Sequence, residues 1–251
     1  MTASRRFQTR LLLVAALCLV GGLLASRMVT RAPTLPPDGP IISPGAEVYG
    51  ARLGQWGVRY WQWTVSVPIG RNPGHDVTGA TCGVNQEGPV FFLPQNFPPC
   101  VIPVDTAVYV PIIAAECSTA EAPPFSGRTE DELRGCAATE ASRYTGIIVR
   151  VNGVLVPNIT AHRASSPAFT MTLPENNVLG AHPGTARAVA DGYHLLLAPL
   201  APGTHEVMVH VELLDGTVLP DKIAYLTVLD PKSQKTATPM TTPATPATPE
   251  R

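Results

Sequence analysis

A chain of 251 residues with 18 basic and 19 acidic side chains is nearly neutral, yet its two signs are segregated. Five arginines and no acid fall in residues 1–32, leaving 10 basic against 18 acidic groups in residues 33–231; that is the reverse of the basic footprint a phosphate backbone requires, and nucleic-acid binding is excluded. Charged residues are only 15% of the chain, and 17 of its 27 prolines lie between Pro68 and Pro220, which excludes a fold built on long helices.

Arg5, Arg6 and Arg10 precede an uncharged run from Leu11 to Ala25, the basic and apolar regions of an export signal. As a helix this run rises about 22 Å, short of a hydrocarbon core of about 30 Å. Ala25-Ser26 offers small residues for cleavage, so residues 1–32 read as a signal peptide; the alternative is a signal anchor extended through Met28 and Val29. Cys18 follows Leu17, too large for a lipoprotein cleavage site, and reads as part of the apolar run. Residues 33–46 carry five prolines and read as an extended linker.

A helix is expected from near Ala46 to Pro68. Tyr49, Leu53, Trp56, Tyr60, Trp63 and Val67 recur at alternating spacings of 4 and 3, one face of an α-helix. Gly50, Gly54 and Gly57 weaken such a helix by about 1 kcal/mol each relative to Ala, so packing must hold it. Trp56, Tyr60 and Trp63 are read as structural aromatics, against the alternative of a carbohydrate-stacking or membrane-interface surface. Trp61, off the stripe, is expected to be exposed.

From Pro89 onward the signal is β. Short apolar runs at Pro89–Leu93 and Ala107–Ile113 are followed by Thr129-Glu130-Asp131-Glu132, a capping box that opens one short helix. Alternating segments follow at Gly146–Val151, Phe169–Leu173, Gly192–Ala198, His205–Leu213 and Lys222–Leu229, with Asn152-Gly153 and Asp215-Gly216 as turns. About eight short strands at this spacing indicate a mainly β fold, an antiparallel β-sandwich of immunoglobulin-like or jelly-roll-like form. It carries an N-terminal amphipathic helix and one short helix. Residues 47–230 form the single domain, and residues 231–251, with repeated Thr-Pro steps, read as a disordered tail.

Cys82, Cys100, Cys117 and Cys136 remain once the signal is set aside. Their spacings contain no C-x-x-C and suit no zinc site. In an oxidising compartment they imply two disulfides, with three connectivities open. Consecutive pairing closes the shortest loops, each worth about 3 kcal/mol on the chain-entropy account.

Trp56-x-x-x-Tyr60-Trp61-x-Trp63, Thr78-Gly79…Cys82-Gly83 and Pro123-Pro124-Phe125 recur in order with Pro174-Glu175-Asn176-Asn177, Ala190-Asp191-Gly192-Tyr193 and Pro202-Gly203-Thr204-His205. Over roughly residues 47–229 the set resembles an uncharacterised family of exported bacterial proteins. That resemblance implies export and brings no activity or catalytic residue with it.

No G-x-S-x-G, H-E-x-x-H, Walker loop or G-x-G-x-x-G occurs, which removes the commonest hydrolase, zincin and nucleotide-binding readings. Polar residues set among apolar ones are Glu116, Glu175, Asp191, His194 and His205. If the strand ends meet, Glu116, Glu175, Asp191 and His205 form a site for a divalent metal or for acid–base work; otherwise they are ordinary turn and strand-end residues. The expectation is an exported protein, periplasmic, cell-surface or extracellular, acting as a non-catalytic binding or structural module with no cofactor. Its expected partner is an envelope polysaccharide or protein, and it meets the membrane only through an uncleaved N-terminus. Two alternatives stand beside it: a metal-assisted hydrolase or other enzyme using that cluster, and a membrane-tethered structural protein.

Overall fold

The computed structural model describes residues 40–229. The export segment, the first part of the linker and the Thr/Pro-rich tail lie outside the described residues. In chain order the elements are α1 (Leu53–Ser66), β1 (Val90–Phe92), β2 (Cys100–Ile102), β3 (Ala107–Ser118), α2 (Glu130–Ala141), β4 (Tyr144–Val151), β5 (Val154–Leu155), β6 (Arg163–Ser165), β7 (Phe169–Leu173), β8 (Gly184–Leu197), β9 (Gly203–Leu213) and β10 (Lys222–Val228). No helix among them is long and apolar enough to cross a membrane.

The ten strands form two five-stranded sheets. The first has the order β1-β3-β8-β6, with β7 also paired to β8; the second has the order β2-β10-β9-β4-β5. Most pairs are antiparallel, but β1 runs parallel to β3 and β2 parallel to β10. The sheets are therefore mixed, which corrects the antiparallel expectation. The cause is the path of the chain: it passes from β1 in the first sheet to β2 in the second and back to β3. β3 thus re-enters beside β1 by a crossover, which is what a parallel pair needs.

Burial follows each strand's surroundings. β9 is covered on one face, so Val207, Val209 and Val211 are buried while Glu206, Met208 and His210 alternate with them. β3 is covered on both faces. Val108 and Val110 join a hydrophobic cluster with Val149, Val207, Val209 and Leu226 of the second sheet. Ala107 and Tyr109 join another with Trp56, Tyr60 and Trp63 of α1. That double coverage explains why Ala107–Ile113 reads as a continuous apolar run.

α1 is shorter than its aromatic stripe suggests. Tyr49 and Gly50 take left-handed backbone (φ 50° and 71°), and Val48 and Ala51 bridge one another, so a tight turn replaces the expected first helical turn. The stripe also gives the glycines a second meaning. A Cβ on Gly54 would lie 2.5 Å from the carbonyl oxygen of Ser165, and one on Gly57 would lie 3.5 Å from the Tyr109 hydroxyl. The helix gives up intrinsic propensity there and gains a close seat on the first sheet.

The α2 capping box forms as its sequence indicates: Glu132 N donates to Thr129 Oγ1 at 3.2 Å, and Thr129 N donates to Glu132 Oε2 at 3.3 Å. The cysteines pair consecutively. Cys82–Cys100 ties the loop after α1 to β2, and Cys117–Cys136 ties β3 to α2, with Cα separations of 5.8 and 6.1 Å. Two such bonds point to an oxidising environment.

Candidate functional site

The outer edge of β3 is the origin of the most distinctive cleft. β1 covers only its first residues, ending where Leu93 N donates to Tyr109 O at 2.9 Å. The next backbone bond on that side is Ser118 N to Phe125 O, at 3.1 Å. Between them a bulge at Pro111–Ile113 shifts the register against β8. Beyond it Glu116 lies opposite Ala190, whose side chain belongs to the α1-side cluster. Cross-strand partners share a face, so Glu116 points toward α1 from an otherwise apolar strand.

Its carboxyl is deeply placed. Glu116 is 5% exposed, and its Oε1 finds no hydrogen-bond partner among the described residues. Glu121, in the loop that follows β3, folds back beside it and accepts from Ser118 Oγ at 2.8 Å. Burial first, and the adjacent Glu121 charge second, push the Glu116 carboxyl up to about 9, while burial also raises Glu121. At neutral pH the pair holds a proton, because two like charges in a low-dielectric wall cannot both ionise.

The space in front of this pair is a cleft of about 220 Å³. Trp61 and Leu179 form one wall, Ile113 and Phe125 add apolar surface, and Glu140 and Tyr144 close it from the end of α2 and the start of β4. Among the described residues no basic side chain lines it. Trp61 is 8% exposed, which corrects the expectation of an exposed ring. The reason is that α1 is enclosed on more than its striped face: Gln95 and Leu179 from flanking loops line the same clefts as Trp61. Its Nε1–H also lacks a partner among the described residues.

A larger cleft of about 670 Å³ lies on the other side of α1, lined by Trp56, Arg59, Gln62, Trp63, Glu87 and Phe92 among others. Its indole groups are satisfied. Trp56 Nε1–H donates to Val48 O at 3.1 Å and Trp63 Nε1–H to Val84 O at 2.9 Å. The Arg59 guanidinium sits 4.3 Å over the Trp56 ring. Trp56, Tyr60 and Trp63 are all buried and pack with Phe92 and Tyr109 at centroid distances of 5.2–6.3 Å.

The residues singled out in the sequence do not assemble. Asp191 lies opposite Ala115 and so faces away from Glu116. It accepts from Arg163 Nε at 2.7 Å, and Arg163 continues to Ala138 O (3.1 Å) and Ser142 Oγ (3.0 Å), fastening the first sheet to α2. Glu175 is exposed in the turn after β7, where neighbouring Asn177 supplies the loop's internal bonds to Pro174 O and Ala181 O. His205 belongs to the second sheet and staples a turn: Nε2–H donates to Ala201 O at 2.8 Å, and Nδ1 accepts from Asn152 Nδ2 at 3.0 Å. Strand alternation separates Asp191 from Glu116, and different sheets separate His205 from both. Among the described residues no group of three or more His, Cys, Asp or Glu side chains is arranged to hold a metal ion. His194, the remaining polar residue of the set, is buried against Tyr109 (5.2 Å, stacked), and burial lowers its ring to about 3.

Glu121, Glu140 and Trp61 are cleft residues that the sequence pattern does not single out. One signal for Glu140 is present: it lies one helical turn beyond Cys136, and the bridge to Cys117 brings that turn beside Glu116. No family model matches the chain, and comparison with curated proteins and with solved structures finds no match.

Proposed function

We propose that the chain is a non-catalytic binding module of an exported protein, and that the Glu116 cleft is its ligand site. The observation that carries this is Glu116, a residue that lines the cleft and whose buried Oε1 has no hydrogen-bond partner among the described residues. A buried carboxyl without a partner costs stability, and an apolar residue at the same β3 position would avoid that cost. A ligand that meets the group recovers the loss. The two disulfides support an oxidising compartment, and an envelope polysaccharide or protein is the partner this setting favours. The cluster joining Val108, Val110, Leu195 and Leu197 to Val149, Val207 and Leu226 supports reading the two sheets as a sandwich; its immunoglobulin-like or jelly-roll-like character belongs to the same proposal.

One observation favours a second reading, acid–base catalysis. Glu116 retains its proton beside Glu121, the arrangement of a general acid paired with a carboxylate. A fluorescence screen of small polar compounds separates the readings, with wild type compared against Trp61→Phe to isolate the signal of the cleft. Saturable quenching that disappears in Glu116→Gln, with the compound recovered unchanged, supports binding. Conversion of the compound that stops in Glu116→Gln supports catalysis. Quenching that is unaltered in Glu116→Gln removes the cleft as the site.

A further inference from the structure

Resting on the reading of the Glu116 cleft as a ligand site, we infer that the group it takes is a primary ammonium. The titratable groups facing Glu116 are Glu121 from the loop after β3, Glu140 from α2 and Tyr144 from β4; α1 contributes Trp61 and the loop after β1 contributes Gln95. Glu140 already has a cation, Arg143, at 2.9 Å. Among the described residues the Glu116–Glu121 pair has none: Ser118 Oγ, a neutral donor, meets Glu121 Oε2, and Glu116 Oε1 is left unmet. What is missing is therefore a compact positive charge with N–H donors.

A primary ammonium supplies three donors and no acceptor, which suits a wall of carboxylate oxygens. Ladder alternation beyond the bulge also turns the carbonyls of Ala114 and Glu116 toward this open edge, away from the bonded pairs with β8. A quaternary ammonium brings no N–H and would leave Glu116 Oε1 unmet. A divalent cation needs six or more oxygens, and no such set is gathered here. The apolar surface of Trp61, Ile113, Phe125 and Leu179 accepts the alkyl stem, and about 220 Å³ accommodates one short chain.

The balance of charge fixes a signature. Before binding, the carboxyl pair holds one proton. The arriving R–NH₃⁺ keeps all three of its own, so the proton on Glu116 leaves to solvent as the ion pair forms. One proton is released per ligand, no bond to the ligand is made, and affinity strengthens with pH by up to tenfold per unit while the pair is still protonated.

The probe is n-butylammonium chloride, titrated calorimetrically into the full chain at pH 6, 7 and 8 in two buffers of different ionisation enthalpy. The expected result is one site, release of about one proton and tightening with pH. Glu116→Gln abolishes binding while still unfolding cooperatively, Glu121→Gln weakens it, and Glu175→Ala leaves it intact. The Nα-acetyl-lysine methylamide arm assigns the source. Tighter binding than the simple amine points to a lysine side chain of a protein partner, and equal binding points to a free amine.

Binding of n-butanol with the same dependence on Glu116 overturns the ammonium inference and keeps the ligand site. Butylammonium binding that is unaltered in both Glu116→Gln and Glu121→Gln also overturns it. If neither probe binds while the fluorescence screen yields another Glu116-dependent compound, the inference falls alone. If no compound binds in a Glu116-dependent way, the binding-site reading falls with it.

Discussion

α1 separates two clefts that differ in kind. On the side of Trp56 and Trp63 the opening is larger, about 670 Å³, yet its indole N–H groups donate to backbone carbonyls and its rings interlock with Phe92. On the side of Trp61 the opening is about 220 Å³, and two of its lining residues, Trp61 and Glu116, carry a buried indole N–H and a buried carboxyl oxygen with nothing to bond among the described residues. Size marks where loops fail to fill space around a helix. An unmet polar atom marks where the fold carries a cost that its own packing does not recover. On that criterion the smaller cleft is the functional candidate and the larger one is scaffold.

The sharpest break of this contrast is Trp56→Ala. The ring is 3% exposed and bonded to Val48 O, so its loss should cost about 3–5 kcal/mol in chemical denaturation. Wild-type stability in that variant would make the large cleft a tolerant recognition surface. Next comes Glu116→Gln. Glu116 holds its proton up to about pH 9, against an ordinary value of 4.5, so between those values the native state binds more protons than the unfolded chain. Wild-type stability relative to the variant is therefore greatest below about pH 4.5, falls as pH rises toward 9, and then levels. The change is on the order of a few kcal/mol. His194 acts in the opposite sense: burial lowers it to about 3 from 6.5, so its contribution is present above 6.5 and is lost as pH falls toward 3. It is common to both proteins and cancels in the difference, which melting curves at pH 5 and pH 8 read directly.

Asp191→Ala removes a charge-assisted bond from Arg163 and should cost about 2 kcal/mol, measured by urea unfolding; a negligible change would mean that Arg163 is held by Ala138 and Ser142 alone. The two flanking tryptophans offer a finer comparison. Trp63→Phe loses a bond to Val84 O, whereas Trp61→Phe loses none, so the first should be less stable by about 1 kcal/mol once both are corrected for area. Glu175→Ala, in an exposed turn, should fall within about 0.5 kcal/mol of wild type; a larger loss in its thermal melt would show that the turn depends on it.

Much of the scaffold is legible in the sequence because it rests on periodicity. The spacing of Leu53, Trp56, Tyr60 and Trp63 specifies the buried face of α1, and the alternation of Val207, Val209 and Val211 specifies the inner face of β9. The start of α1 is hidden because Tyr49 adopts a left-handed conformation that only its surroundings enforce. The parallel edges are hidden because β1 and β2 are three residues long, too short to carry a direction signal. Glu116 stands out as a charge after an apolar run, but its partners do not. Glu121 reaches it through a loop, Glu140 through a disulfide, and Trp61 through loops that close over an apparently free helix face. The same limit explains why Glu175, Asp191 and His205, alike in sequence context, end in three unrelated places.

The pairing of β2 with β10 has a consequence in time. Cys100–Ile102 aligns with Leu226–Val228, and β10 lies between β2 and β9 in its sheet. A chain made from the N-terminus therefore presents β2 long before its neighbour exists, and β9 keeps one bare edge until the last described strand arrives. Contacts so distant in sequence close slowly, and an unpaired strand edge invites a second chain to fill it. A nascent chain halted between Leu213 and Lys222 would hold β4 and β9 together with the other edge of β9 still unpaired. For this protein the vulnerable interval lies between the emergence of β9 and that of β10.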